Sequence, residues 1–124
     1  MIMKAFEMPK TTEQEISARK NAIQEATRNA IEVPLKVMQL AHDSMEILKE
    51  MAKTGNPNSV SDAGVGALCA RTAVEGAYLN VKINAVGLKD ETYLKNALEK
   101  ANNLLLSARN AETEILKVVY QKTG

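Results

Sequence analysis

The chain has 124 residues, 45% of them hydrophobic and 25% charged, enough for one domain with a core of its own. Sixteen basic against fifteen acidic residues give a net charge of +1, so nothing draws the chain electrostatically to nucleic acid or to an anionic membrane. One Cys and one His exclude an internal disulfide and a zinc site built from these residue types alone, and a reducing, cytoplasmic setting fits that cysteine usage.

Aromatic residues make up only 3%, with Ala, Leu, Ile, Val and six Met filling the apolar share. That mixture favours closely packed helices over strands. Met1–Met8 has helix-forming composition without a cap ahead of it, and Pro9 ends it. Thr12 with Glu15 forms a capping box that opens a long helix. Its apolar spacing runs Ile16, Ile23, Ala26, Ala30, Val33, Val37, Leu40, Leu48 and Met51, with Met38 and Met45 as core filler. Pro34 predicts a kink or short break near Asn29–Ile31, and Lys53 followed by Gly55 predicts the stop.

Gly55–Ser59 is the loop signal in the middle of the chain. A second helix follows over about Ser61–Val86, capped by Ser59 or Ser61, with so few charges that it reads as central and covered on most sides. Gly87–Asp90 turns the chain, and Asp90 caps a last helix carrying Leu94, Ala97, Leu98, Ala101, Leu104, Leu105, Ala108, Ile115, Val118 and Val119 on one face. The fold class is therefore all-α, an up-and-down bundle of three long antiparallel helices with a short N-terminal piece. Three helices leave apolar stripes to cover, which predicts a homodimer or higher homo-oligomer.

On the central helix, Asp62, Gly66, Cys69, Ala73, Gly76, Asn80, Asn84 and Gly87 fall within about 80° of arc. Such a stripe lets a second helix approach closely, or it lines a slot for a flat ligand. Interior glycines lose roughly 1 kcal/mol each against alanine, so close packing has to offset Gly66 and Gly76. His42 falls off the apolar face and reads as a surface residue, and Cys69 as a small buried packing residue.

Gly55-Asn-Pro-Asn-Ser-Val-Ser-Asp-Ala-Gly-Val-Gly66, followed by Gly76-Ala-Tyr-Leu-Asn-Val-Lys-Ile-Asn84, resembles the C-terminal family of formiminotransferase-cyclodeaminases. Met8-Pro-Lys10 and Val33-Pro-Leu35 extend the resemblance over nearly the whole chain. It implies a dimerising all-α bundle with a folate cleft, acting as a formimidoyltetrahydrofolate cyclodeaminase or a methenyltetrahydrofolate cyclohydrolase. It implies no cofactor beyond the tetrahydrofolate substrate, and it admits a formiminotransferase as partner. Family members carry an acidic D-A-x-A-F stretch and a Gly-rich P-G-G-G-S segment upstream of the part matching Phe6–Lys10. The chain therefore reads as a single domain, residues 1–124, matching the C-terminal two-thirds of the family's domain; a helical oligomerisation module without catalysis is the other reading.

By that resemblance Asp62 is the catalytic candidate, as acid/base or as acceptor for a pterin's amino-pyrimidine edge. Its position in the first helical turn equally suits a cap. Asn56, Asn58 and Ser61 would form the cleft mouth, the two asparagines being turn formers otherwise. Asn80 and Asn84 would line the cleft. Lys82 matches the motif but points away from the stripe, toward solvent or toward an anionic glutamate tail held by a neighbouring subunit.

Overall fold

The computed structural model describes residues 2–124. Four α-helices and one 3-10 turn make up the chain: α1 (Ile2–Phe6), α2 (Glu13–Thr54), a 3-10 turn (Pro57–Ser59), α3 (Val60–Ala85) and α4 (Glu91–Thr123). The three long helices pack against one another in up-and-down order, and α1 packs on α2. No helix of the described residues is long and apolar enough to cross a membrane.

The predicted starts are in place. Thr12 Oγ1 accepts from the Glu15 amide at 3.1 Å, and Glu15 Oε2 accepts from the Thr11 amide at 3.1 Å. Asp90 Oδ1 accepts from the Tyr93 amide at 3.1 Å. The opening of α3 differs: Ser59 flanks the helix without a side-chain cap bond, and Asn56 instead caps the 3-10 turn, its Oδ1 accepting from the Asn58 amide at 3.0 Å. Gly55 ends α2 by donating its amide to Met51 O, and a Cβ there would lie 2.5 Å from that same carbonyl oxygen. Only glycine fits so tight an exit.

Pro34 does not break α2, which runs unbroken from Glu13 to Thr54. A proline within a helix removes the hydrogen bond to the carbonyl four residues back. Here that carbonyl belongs to Ala30, and Asn84 Nδ2 of α3 donates to it at 3.1 Å. The donor that Pro34 lacks is thus supplied across the helix pair. This binds α2 to α3 at the carbonyl that Pro34 leaves without its helical donor.

Small residues set the helix separations. A Cβ on Gly66 would meet Leu48 Cδ2 at 2.6 Å, so α2 and α3 approach closely there; a Cβ on Gly64 would meet Val119 Cγ1 at 3.2 Å, on the α4 side. Gly76 has no atom within 4 Å of such a Cβ, so no contact among the described residues offsets its cost. Ile31, Met38 and Met45 of α2, Val74 and Val81 of α3, and Ile115 of α4 are the largest fully buried side chains.

The core lies on one side of α3. Its other side is open: Val65, Leu68, Leu79, Ile83 and Val86 are 41–88% exposed. The expectation that α3 is covered on most sides is corrected by this. Its few charges reflect two apolar faces, one packed and one not. The long α2 stripe divides in the same way, with Ile31, Leu35 and Met38 buried while Val33, Val37 and Leu40 are exposed.

Charged side chains tie α3 to α4. Arg71 Nε donates to Glu112 at 2.6 Å and its NH1 to Glu75 at 3.3 Å, while Arg109 donates to the other edge of Glu75. The Arg109 hydrogen bond, supported by Arg71 against the opposing cost of burial, holds the Glu75 carboxyl below the usual carboxylate range. At the far end of the bundle, Lys122 Nζ donates to the carbonyls of Ala52 and Lys53 at 2.7 and 2.5 Å, closing the last turn of α2.

Two outcomes follow from these contacts. Asn84→Ala strips the Ala30 carbonyl of its donor and lowers unfolding free energy by about 1–3 kcal/mol in urea titration. Pro34→Ala restores the helical donor, so the loss from Asn84→Ala is smaller in that background; equal losses would mean the bond contributes nothing. Because the Glu75 carboxyl is depressed in the folded state, its contribution is present above the ordinary glutamate range and lost as pH falls through the folded value. Glu75→Gln therefore narrows the stability difference between about pH 5 and about pH 2.5 relative to the wild-type chain.

Candidate functional site

The sequence-predicted site residues occupy two ends of α3. At its N-terminal end, the 3-10 turn brings Asn56, Asn58, Ser61 and Asp62 together. All four are exposed, and Asn56 is committed to capping the turn. Asp62 lies in the first turn of α3, where the helix dipole favours a carboxylate. No hydrogen bond or ion pair engages its side chain among the described residues. It is a free acceptor on the surface at the N-terminal end of α3.

Asn80 and Asn84 lie at the other end. They stand eighteen and twenty-two positions after Asp62, or about 27 and 33 Å along a helix. They line a groove of about 420 Å³ between α2 and α3, with Ala30, Val33, Pro34, Val37, Ala73 and Ala77. Asn84 spends one amide hydrogen on Ala30 O, which leaves its other hydrogen and its carbonyl oxygen free to bind. Asn80 is exposed at the groove's lip, and Lys82 faces away from it into solvent. Along the small-residue stripe, Gly66 makes a helix contact, and Ala73, Asn80 and Asn84 form part of a groove wall.

Two single residues differ from their sequence reading. Cys69 is exposed, because it falls on the open side of α3. His42 is half-buried against α4: its Nε2 pairs with Ser107 Oγ at 2.7 Å and its Nδ1 lies 3.5 Å from Asp43 Oδ1.

A second polar region was not legible in the sequence. Gln24, Arg28 and Glu32 follow one another at four-residue spacing and face the α3–α4 turn and the start of α4. Gln24 donates Nε2 to Gly87 O at 3.0 Å and accepts from the Lys89 amide at 2.8 Å. Arg28 pairs with Asp90 at 2.5 Å and lies 4.8 Å above the Tyr93 ring. The Tyr93 hydroxyl donates to Glu32. Burial first, then the Glu32 carboxylate, pushes that hydroxyl far above the ordinary tyrosine range, with Arg28 opposing. Glu32 and Tyr93 close one end of a cavity of about 510 Å³ between α2 and α4, which Lys36, Gln39, Asn96 and Lys100 also line. The four-residue spacing on α2 was the available signal, but it reads as a solvated face until α4 is placed against it.

An all-helical bundle with a carboxylate in the first turn of its central helix and a small-residue groove farther along that helix is a class with many functions. Comparison with known proteins narrows it. The sequence profile of the formiminotransferase-cyclodeaminases matches residues 1–103, and the chain belongs to that family. A methenyltetrahydrofolate cyclohydrolase from Methylorubrum extorquens is 36% identical over 123 residues, covering 99% of this chain and 59% of the relative. The formimidoyltransferase-cyclodeaminase of Rattus norvegicus is 34% identical over 112 residues, covering 90% of this chain and 21% of the relative. The crystal structure of a formiminotetrahydrofolate cyclodeaminase from Thermotoga maritima superposes with a TM-score of 0.82 at 27% identity, covering 99% of this chain and 57% of that one. The chain thus spans under two-thirds of the length of each of these proteins.

Asp62 and Tyr93 separate by what they touch. Asp62→Asn changes unfolding free energy by less than about 0.5 kcal/mol, as expected for an unengaged surface group. Tyr93→Phe costs about 1–3 kcal/mol because Glu32 loses its partner in a partly buried place. Urea midpoints of the two variants measure both, and a reversed ranking would place the structural role on the wrong residue.

Proposed function

We propose that this chain carries part of the folate site of a one-carbon enzyme that converts 5-formimidoyltetrahydrofolate to 5,10-methenyltetrahydrofolate and ammonia. Membership of the formiminotransferase-cyclodeaminase family across residues 1–103 carries the reading. The unengaged Asp62 carboxylate beside an Asn-rich turn supplies the chemistry it needs.

In that reaction N10 of the folate adds to the formimidoyl carbon, giving a tetrahedral carbon bonded to N5, N10 and the terminal amino group. The proton on N10 must leave and the terminal nitrogen must gain one before it departs as ammonia, closing the methenyl bridge. A single carboxylate serves both transfers: Asp62 takes the N10 proton and delivers it to the leaving nitrogen. Asn56, Asn58 and Ser61 lie within the same turn and would orient the pterin through its amide-like edge. Asn80, Asn84 and Lys82 lie too far along α3 to touch the same carbon. Asn80 and Asn84 would hold a distant part of the ligand, while Lys82, facing away from their groove, would meet carboxylates of a tail held by a neighbouring subunit.

A second reading draws on the Methylorubrum extorquens relative, a methenyltetrahydrofolate cyclohydrolase. There water adds to the methenyl carbon, the same carboxylate takes its proton and returns one to the bridging nitrogen whose bond to that carbon breaks, and the formyl group stays on the other nitrogen, so the residue at the centre of the site does not change. Incubation with 5-formimidoyltetrahydrofolate distinguishes the two. Methenyl absorbance rising together with ammonia supports ring closure. Absence of both, with methenyltetrahydrofolate hydrolysed faster than the blank, supports the cyclohydrolase. In either case Asp62→Asn is expected to lower turnover by about 10²–10⁴-fold while the fold stays intact. An unchanged rate in that variant removes Asp62 from the mechanism.

A further inference from the structure

His42 of α2 and Ser107 of α4 make a contact that the folate reading does not use. Hydroxyls within a helix commonly donate back to a carbonyl of their own helix, as Thr27, Ser44, Thr54, Thr72 and Thr113 do here. Ser107 instead pairs its Oγ with His42 Nε2 across the helix interface at 2.7 Å. The other ring nitrogen, Nδ1, lies 3.5 Å from Asp43 Oδ1. Gln39 Nε2 donates to that same oxygen at 2.7 Å. A carboxylate beside Nδ1 favours the tautomer that carries its proton there, which leaves Nε2 to accept from the Ser107 hydroxyl.

A hydroxyl, a base within hydrogen-bond reach and a third group that orients the base are the parts of an activated nucleophile. Here they stand at a cavity of about 470 Å³ between α2 and α4. His42 and Ser107 both line it, Leu104 gives it an apolar wall, and Lys100 and Asn103 add polar side chains. Asn103 and Lys100 precede Ser107 by four and seven positions, so they share its face of α4. Neither side chain has a hydrogen bond or ion pair among the described residues. An amide and an ammonium are thus free to meet negative charge developing on an oxygen. Ser107 is exposed and His42 half-buried, so the hydroxyl is open to a substrate while the imidazole is held.

We infer that Ser107 and His42 form an acyl-transfer site, Ser107 as nucleophile and His42 as general base, for small esters with an aryloxide leaving group. In the first half of the reaction Oγ bonds to the acyl carbon and its proton passes to Nε2. The bond from that carbon to the aryl oxygen breaks, and Nε2 returns the proton to the leaving oxygen. In the second half water adds to the acyl carbon and gives a proton to Nε2. The bond between Oγ and the acyl carbon breaks, Oγ regains that proton, and the carboxylic acid departs. Asp43 is a positioning residue, acting through the imidazole. None of these residues belongs to the folate site proposed above, so failure here leaves that reading untouched.

Two probes test the site. One is p-nitrophenyl acetate, followed by release of nitrophenol. The other is phenylmethanesulfonyl fluoride, which loses hydrogen fluoride and leaves its sulfonyl group fixed on a serine oxygen. The expected result is ester hydrolysis about 10²-fold faster than in Ser107→Ala or His42→Gln, with the circular dichroism of both variants unchanged. Tandem mass spectrometry locates the sulfonyl group on Ser107, and esterase activity is lost in step with that labelling. Asp43→Asn lowers kcat about tenfold at unchanged KM, as befits a group that acts on the base and not on the substrate. Two results overturn the inference. One is that Ser107→Ala hydrolyses the ester as fast as the wild-type chain, which makes the imidazole or a lysine the acceptor. The other is that the sulfonyl group is absent from Ser107 of the wild-type chain.

Discussion

The hydrogen bond from Asn84 to the Ala30 carbonyl fixes how the two longest-packed helices of this protein lie against each other. Pro34 leaves that carbonyl without its helical donor. A carbonyl orphaned in a helix must find a donor or pay for its desolvation. Asn84 meets the need from α3, and in doing so sets the rotation of α3 about its axis. With Asn84 turned toward α2, Val74 and Val81 fall into the core and Leu79, Ile83 and Val86 fall outside it. The packed face, the open face and the groove between α2 and α3 all follow from that one orientation.

The opposite end of the bundle is fixed by different means. Gly66 admits Leu48 on one flank of α3, and Gly64 admits Val119 on the other. Close approach on both sides brings the N-terminal end of α3 near both neighbours while the Asn56 cap turns the preceding loop outward. The Asp62 carboxylate is presented at this end without a partner. The helix thus has a rigid anchor where it carries Asn84 and a presented acid where it carries Asp62. A site spread over both has its parts held by the same element.

Much of this was legible in the sequence because it depends on local chemistry. The capping box at Thr12, the Asp90 cap, the exit at Gly55 and the face of α4 rest on residues within a few positions of one another. The kink expected at Pro34 did not become a break, because its compensation comes from a residue fifty positions away in sequence. The same limit explains Cys69, His42 and the Gln24–Arg28–Glu32 row. Periodicity reports that a face is apolar or polar, but not which neighbour stands against it. Two apolar faces on one helix look like a single buried element until the neighbours are placed. Of the candidate site, the residues were legible through the family resemblance. Their separation to the two ends of α3 follows from helix geometry alone, since eighteen positions of α-helix cannot fold back.

That separation bears on how a site here would work. A carboxylate open to bulk water exchanges its proton with solvent as readily as with a bound ligand. Shuttling one proton from an attacking to a leaving nitrogen requires that water be kept from the tetrahedral carbon. Nothing among the described residues shields Asp62 in this way. The open apolar face of α3 begins within one turn of it, at Val65, and runs the length of the helix to Val86.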